Sequence, residues 1–164
     1  MLSLHDIFCC SLKKKGKNMK RKLMFAYGSN MLTKQAFKRM PHAKKYGTAQ
    51  LIDYAFNFAG NGVASVYEKA GSKVPGVLYS ITEKDFLKMD SFEGFPYVYN
   101  CYKLPIEYNG SLKEAWVYIN NSRNIFVLPK EEYMYKILLG AEEAGLPDNH
   151  IWKAYTNAID SFNI

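Results

Sequence analysis

Apolar and polar positions divide this chain into short strands separated by a few helical segments. Leu23–Ala26 is an unbroken apolar run, which is typical of a strand buried on both faces. Asn61-Gly62 and Asn109-Gly110 are hairpin signals between apolar segments. The pattern predicts strands over Lys22–Tyr27, Tyr46–Phe58 with a bulge near Asp53, Val63–Tyr67, Val74–Ile81 after a break at Gly71-Ser72, Tyr97–Tyr108 and Leu112–Ile119.

Four further segments have the period of a helix. Thr82 precedes one of them and, with Asp85 three residues later, resembles a capping box. Many strands with few helices predict an α+β domain on a curved mixed sheet. No repeat or linker divides residues 19–164, which we take as one domain. The predicted helices are Thr33–Met40 capped by Thr33, the segment opened by Thr82, Glu131–Ala144 with Tyr135, Leu138 and Leu139 inward, and Asp148–Ile159.

The positive charge of the chain is concentrated at its N-terminus. The net charge is +7, but residues 1–22 hold seven of the 22 basic residues and one of the 15 acidic residues. The remainder is nearly balanced and lacks the basic field that a phosphate backbone requires. We therefore expect no nucleic-acid partner for the domain. The alternative is nucleic-acid binding through the tail, which would depend on salt and be lost on trimming to Met19.

Residues 1–18 resemble an appendage to the domain. Lys13–Asn18 can be encoded by a purine-rich stretch just before Met19, which would resemble a bacterial ribosome-binding site translated by mistake. We expect Met19 to be the true start, with residues 1–18 disordered or absent in the cell. A basic tail for an acidic partner or a membrane surface is the alternative interpretation.

Cysteine and histidine are too scattered to predict a metal site. Cys9 and Cys10 are adjacent in the tail, and Cys101 lies in a predicted strand, which is neither a disulfide framework nor a zinc spacing. We expect a reduced, cytoplasmic protein with no metal and no cofactor. No apolar run approaches the ~20 residues that span a bilayer, so no membrane partner is expected. The histidines have polar neighbours and are predicted to lie on the surface: His5, His42 and His150.

The most informative segment joins the first strand to the first helix. The strand breaks at Gly28, where the absence of a side chain lets the backbone turn sharply, with positive φ, and present consecutive amides at close range. Ser29 and Asn30 add short polar side chains that favour turns and helix N-termini. Such a junction can bind an anion or an oxyanion. The alternative is a tight connection in which these side chains only satisfy the backbone.

A second segment completes a resemblance to a known family. Met89–Tyr99, with its Glu-Gly pair after a short helix, follows the Tyr-Gly-Ser-Asn loop in the same chain. The two together resemble the gamma-glutamylcyclotransferase-like family, and the similarity runs in one order from about Lys22 to Tyr155. The resemblance implies a small closed β-barrel flanked by helices, and an enzyme whose partner is a small gamma-glutamyl molecule. It also includes Ala64–Tyr67, Val74–Tyr79 and Leu138–Pro147.

The resemblance also implies which residues form the site. It makes Glu93 the catalytic residue, and it places Tyr99 and Tyr118 in the cavity wall, where their hydroxyls orient the substrate. The amides of Gly28 and Ser29 would meet the substrate's α-carboxylate or amide oxygen. The substrate-binding backbone is that of Phe25, Ala26, Tyr27, Gly28, Ser29 and Asn30.

The residues near Glu93 fit such a role. Phe92, Phe95 and Pro96 are apolar, and we expect them to desolvate Glu93 and so make it a stronger base. The loop at Ser29 lacks the second glycine of a serine-hydrolase elbow. A nucleophile of the protein's own is therefore not evident.

A gamma-glutamyl substrate carries its own nucleophile, the α-amine. This amine can attack the γ-carbonyl and close a five-membered ring, which gives 5-oxoproline and a free amine. Two alternatives remain: the same chemistry on a gamma-glutamylated amine or an acylated metabolite, and a noncatalytic domain that binds a carboxylate. The segment from Glu93 to Tyr99 is short, so the leaving-group pocket can differ within the family.

Overall fold

The computed structural model describes residues 20–162, in which five strands form a closed barrel with helices packed outside it. The predicted boundary at residues 18 and 19 lies outside the described residues. The strands are β1 (Arg21–Ala26), β2 (Lys44–Ala59), β3 (Val63–Thr82), β4 (Tyr99–Tyr108) and β5 (Ser111–Asn120). The helices are α1 (Thr33–Arg39), α2 (Glu83–Glu93), α3 (Glu131–Glu143) and α4 (Asn149–Phe162), with a single 3₁₀ turn at Ser29–Met31.

The barrel closes through one parallel contact. The strand order is β1-β3-β2-β4-β5, and neighbours along this order pair antiparallel. β5 then returns to β1 in parallel at Met24 and Trp116. The predicted α+β class and the small closed mixed β-barrel flanked by helices are confirmed.

The long β2–β3 hairpin contains the predicted bulge. Its register shifts between Ile52 and Tyr54, where Asp53 has a φ of 60°. The Asp53 carboxylate accepts a hydrogen bond of 2.8 Å from the amide of Gly71. This contact holds the two strands together across the irregularity, so β3 continues through Gly71. The predicted break into two strands there is wrong.

Two predicted helix details are also wrong. Leu32, and not Thr33, is the N-cap of α1, and no side chain caps this helix. In α3 the buried positions are Met134, Ile137, Gly140 and Ala141, whereas Tyr135 is 64% exposed. The buried face is shifted because Gly140 packs on the Ser29–Met31 turn, where an added Cβ would lie 2.8 Å from the amide nitrogen of Leu32.

His150 is not the surface residue that its polar neighbours in sequence predict. Its ring packs edge-on against Phe56 with centroids 5.4 Å apart, and burial lowers the pKa of His150 to about 4. His42 does lie near the surface, and His5 lies outside the described residues. Within residues 20–162, no helix combines the length and apolarity that a membrane span needs.

A buried carboxylate fixes the start of α2. The Asp85 amide donates to Thr82 Oγ1 at 3.2 Å, and Thr82 Oγ1 donates to Asp85 Oδ2 at 2.9 Å. His42 Nδ1 lies 3.1 Å from Asp85 Oδ1. Burial alone would raise the pKa of Asp85, but the hydrogen bonds from His42 and Thr82 outweigh it and hold this pKa below its usual value. The predicted capping arrangement at Thr82 is therefore present, and Asp85 is charged in the folded state at neutral pH.

Asp85→Ala should lower the free energy of unfolding at pH 7 by about 2 kcal/mol, because the buried, charged hydrogen-bond network of the Asp85 carboxylate is lost, although the amide of residue 85 can still donate to Thr82. The pKa of Asp85 is lower in the folded protein than in the unfolded chain, where it is ~3.9. The charge of Asp85 therefore stabilises the fold fully above the unfolded pKa, and this stabilisation is lost as the pH falls through the folded pKa. Urea unfolding at a series of pH values should show the difference shrinking at acid pH. The matched control is Asp160→Ala, exposed on α4; equal effects of the two changes would contradict the assignment.

Candidate functional site

A small cavity lies where β1 ends and the chain turns toward α1. Its volume is about 210 Å³, below the ~300–1,000 Å³ of pockets that hold drug-sized ligands. This size suits a ligand of amino-acid scale. The cavity is lined by Met24, Phe25, Ala26, Tyr27, Gly28, Ser29, Asn30, Arg39, Val63, Ala64, Phe92, Glu93, Tyr99, Tyr118 and Tyr133. All nine residues predicted for the site therefore meet in one place.

Gly28 is required for space and not for an unusual backbone angle. Its φ is −117°, so the expected positive φ is wrong. A Cβ added at Gly28 would lie 2.9 Å from the Cβ of Ala64 on β3, closer than two such carbons can pack. The turn therefore lies directly against β3, which places the residues after Gly28 at the cavity wall.

The turn leaves amide groups free at the cavity. The amide of Met31 donates to the carbonyl of Gly28 and the amide of Leu32 to that of Ser29. Within residues 20–162, no backbone carbonyl accepts from the amides of Gly28 or Ser29. These two N–H groups are available to a carboxylate or a carbonyl oxygen of a ligand.

Glu93 enters the cavity from the opposite side, as the last residue of α2. Gly94, with a φ of 64°, ends the helix directly after it. Glu93 Oε1 accepts a hydrogen bond of 3.3 Å from Asn30 Nδ2, and Asn30 Oδ1 accepts one of 3.0 Å from Arg39 Nη1. Asn30 thus connects the Gly28 turn to the carboxylate, and Arg39 holds Asn30 in that orientation.

Burial raises the pKa of Glu93 above its usual value, and the charge of Arg39 and the hydrogen bond from Asn30 offset only part of this rise. The negative end of the α2 dipole also raises the pKa of Glu93.

The prediction of which residues desolvate Glu93 was partly wrong. Phe92 lines the cavity, but Phe95 and Pro96 are exposed and do not. They lie outside because the chain turns away at Gly94, and tyrosines from other elements cover Glu93 instead.

The predicted tyrosines donate their hydroxyl protons to the protein. Tyr99 donates to the carbonyl of Ala64 at 2.8 Å, and Tyr118 donates to Asp90 Oδ1 at 2.7 Å. Tyr27 donates to the carbonyl of Tyr118. These hydroxyls can therefore accept a hydrogen bond from a ligand, but their protons are already engaged.

Two polar residues of the cavity were missed from the sequence, Arg39 and Tyr133. The Tyr133 hydroxyl accepts a hydrogen bond of 3.0 Å from the amide of Ala64, and burial raises the pKa of Tyr133 to about 12. Among the hydrogen bonds of residues 20–162, none has the Tyr133 hydroxyl as its donor, so this hydroxyl can donate to a ligand. Neither residue has a local sequence signal, since α1 and α3 bring them to the cavity only in the folded protein.

A family model and characterised relatives match most of this chain. Residues 24–137 match the family model described as gamma-glutamyl cyclotransferase, AIG2-like. This chain belongs to that family. Bovine gamma-glutamylcyclotransferase is 32% identical over 139 residues, which cover 76% of this chain and 72% of the bovine protein. The human gamma-glutamylcyclotransferase is 28% identical over 138 residues, with the same shares covered.

A solved structure of a gamma-glutamyl cyclotransferase has the same fold. It superposes with a TM-score of 0.71 at 24% identity and covers 82% of this chain and 86% of its own. At that identity the similarity supports the fold alone. The barrel and its helices are therefore the architecture shared with this family.

Other nucleophiles in this cyclotransferase-family chain are poorly placed. Burial raises the pKa of the Cys101 thiol to about 12, which keeps it protonated and unreactive. Ser29 has no histidine partner among the hydrogen bonds of residues 20–162. In the same residues, no group of three histidine, cysteine or acidic side chains could hold a metal ion.

Gly28→Ala should destabilise the fold by about 1–3 kcal/mol, because the new methyl group overlaps the Cβ of Ala64. Ala64→Gly removes that Cβ, so the double variant should be more stable than the sum of the two single effects predicts. Urea unfolding of the three variants measures this coupling. Additive effects would show that the turn does not pack against β3 in this way.

Proposed function

We propose that this protein is a gamma-glutamyl cyclotransferase, which converts a gamma-glutamyl compound into 5-oxoproline and a free amine. The main support for the proposal is the position of Glu93, the single carboxylate that lines the cavity. Burial raises the pKa of Glu93, and the cavity also has free backbone amides. Among the described residues that line the cavity, no activated nucleophile is evident. The family membership supports the same activity class. The ligand expected from the family is a small gamma-glutamyl molecule.

The free amides orient the substrate in this proposal. The N–H groups of Gly28 and Ser29 bind the α-carboxylate or the γ-carbonyl oxygen, and the Tyr133 hydroxyl adds a donor on the α3 side. The backbone of Phe25, Ala26 and Tyr27 forms the floor, with Asn30 at the rim beside Glu93. The hydroxyl oxygens of Tyr99 and Tyr118 accept hydrogen bonds from the substrate's nitrogen groups, because their own protons are already donated to Ala64 and Asp90.

Glu93 then moves two protons, one after the other, from the α-nitrogen to the leaving nitrogen. It first accepts a proton from the substrate's α-ammonium, and the resulting amine attacks the γ-carbonyl carbon to form the ring C–N bond. The carbonyl oxygen becomes an oxyanion held by the backbone amides. Glu93 gives this first proton to the leaving nitrogen and takes the second proton from the ring nitrogen, which attack has left as N+H2. The original C–N bond breaks, the oxyanion returns to a carbonyl, and Glu93 passes the second proton to the released amine, which departs as an ammonium ion.

The energetics suit an enzyme with few catalytic groups. Attack within one molecule gains up to ~7–11 kcal/mol from proximity when the groups are well oriented. A raised pKa makes Glu93 a better match to the proton that it must take and return. The Arg39–Asn30 pair keeps the carboxylate oriented without cancelling that rise.

A noncatalytic carboxylate-binding domain is the second candidate, since free amides alone would serve it. Such a domain gains nothing from a carboxylate beside the ligand, because like charges repel. The presence of Glu93 at the cavity therefore favours catalysis. Gamma-glutamylated amines and acylated metabolites remain substrate alternatives for the same chemistry, and a screen with 5-oxoproline as the readout separates all of these.

Glu93→Gln should lower kcat by about 10²–10⁴-fold while ligand binding persists, because the amide has nearly the same shape but cannot accept a proton. The measurement is 5-oxoproline release from a panel of gamma-glutamyl compounds. Glu83→Gln, exposed at the other end of the same helix, is the matched control. Turnover at the wild-type rate in Glu93→Gln would remove this residue from the mechanism.

The pH profile tests the same residue independently. Glu93 must be deprotonated to act as a base, so the acid limb of kcat/KM should lie above the ordinary glutamate pKa of ~4.3. Asn30→Ala removes a hydrogen bond that lowers the pKa of Glu93, and this limb should move to higher pH. An unchanged limb would show that another group controls it.

A further inference from the structure

The cavity has one exposed side, and that side is next to a second depression. Phe92, at 57% exposure, is the most exposed of the residues that line the cavity. Phe92 and Arg39 also line a cleft of about 410 Å³ between α1 and α2. The other walls are formed largely by buried strand residues, so a substrate too long for the cavity must extend over this cleft.

All the charged residues that line the cleft are cationic. Besides Phe92 and Ser91, its lining residues are Lys38 and Arg39 from α1 and Lys88 from α2. None of these three cations forms an ion pair within 4.0 Å with a carboxylate of residues 20–162. The charges of Lys38 and Lys88 are therefore available to a ligand, and Arg39, which also acts on Glu93, adds to them without a direct ion pair.

None of the acidic residues of α2 lines the cleft. Glu83 pairs with Lys22, and Asp85 is buried beside His42. Asp90 accepts from the Tyr118 hydroxyl, and Glu93 faces the cavity. α1 contains no acidic residue at all. Glu93, through its interaction with the charge of Arg39, is therefore the one carboxylate of these two helices that offsets part of the cleft's charge.

Arg39 is held at the junction of the cavity and the cleft. Its guanidinium donates to Asn30 on the cavity side, and its central carbon lies 5.3 Å from the centre of the Phe92 ring. This cation–π contact restricts the side chain at the point where the leaving group must pass. Lys38 and Lys88 line the cleft but not the cavity, so they would meet the part of a leaving group that extends beyond the cavity.

We propose that the cleft lined by Lys38, Arg39 and Lys88 is a leaving-group subsite that selects gamma-glutamyl compounds whose leaving amine carries two negative charges, such as an acidic amino acid. The inference rests on the proposed function and extends it to the substrate. A neutral or cationic leaving amine gains nothing from these three cations. The subsite therefore disfavours gamma-glutamylated amines.

The test compares three compounds that differ in the charge of the leaving amine: gamma-glutamyl-alaninamide, gamma-glutamyl-alanine and gamma-glutamyl-aspartate. We expect kcat/KM to rise about fivefold with each added negative charge, the upper end for an exposed ion pair. The preference should shrink as ionic strength rises from 0.1 M to 1 M, where the screening length falls from ~10 Å to ~3 Å. Equal kcat/KM values for the three compounds would overturn the proposal.

Charge-reversing substitutions test whether the preference for negative leaving amines depends on the cleft. Lys38→Glu with Lys88→Glu should abolish or invert the preference for the aspartate compound over the alaninamide compound. Lys113→Glu with Lys153→Glu gives the same change in net charge at exposed positions on β5 and α4, and should preserve the preference. An equal loss in both pairs would mean that net charge, and not the cleft, sets the preference. Lys38→Gln with Lys88→Gln is the milder pair if the reversed one folds poorly.

A binding measurement separates this proposal from the function on which it rests. If no compound yields 5-oxoproline, the cyclotransferase proposal fails. The dissociation constants of the same three compounds for Glu93→Gln, where no turnover consumes them, still report on the cleft. Tighter binding with each negative charge supports the subsite, and equal binding refutes it.

Discussion

The close packing of Gly28 against Ala64 is the constraint on which the site depends. The two positions are so near that a methyl group at residue 28 would overlap the Ala64 side chain. The same strand residue uses both of its backbone groups at the cavity, since its amide donates to Tyr133 and its carbonyl accepts from Tyr99. β3 therefore fixes the turn and two of the surrounding tyrosines at one point.

Hydrogen bonds connect the turn at Gly28 to the Glu93 carboxylate. The turn after Gly28 places Asn30, whose carbonyl accepts from the Tyr79 hydroxyl and whose side chain joins Arg39 to Glu93. Glu93 is partly desolvated because aromatic side chains line the cavity beside it. The same packing that positions the carboxylate thus also raises its pKa, so stability and the proposed catalysis depend on the same residues.

Features that depend on neighbouring residues could be predicted from the sequence, and features set by distant contacts could not. The strand–glycine–turn order at residues 23–31 and the cap at Thr82 are local, and both are present. The face of α3 that is buried follows from its contact with the Ser29–Met31 turn, which no local pattern contains. His150 is half-buried, with its ring packed against Phe56 of β2. Arg39 and Tyr133 reach the cavity through tertiary packing alone.

The central claim is that the substrate's own α-amine, and not water or a side chain, attacks the γ-carbonyl. Turnover of a gamma-glutamyl compound in water enriched with heavy oxygen, with mass analysis of the products, tests it directly. The account predicts 5-oxoproline and free amine, neither of which carries the label. Glutamate with heavy oxygen in its γ-carboxylate would show that water attacks, and would contradict the account.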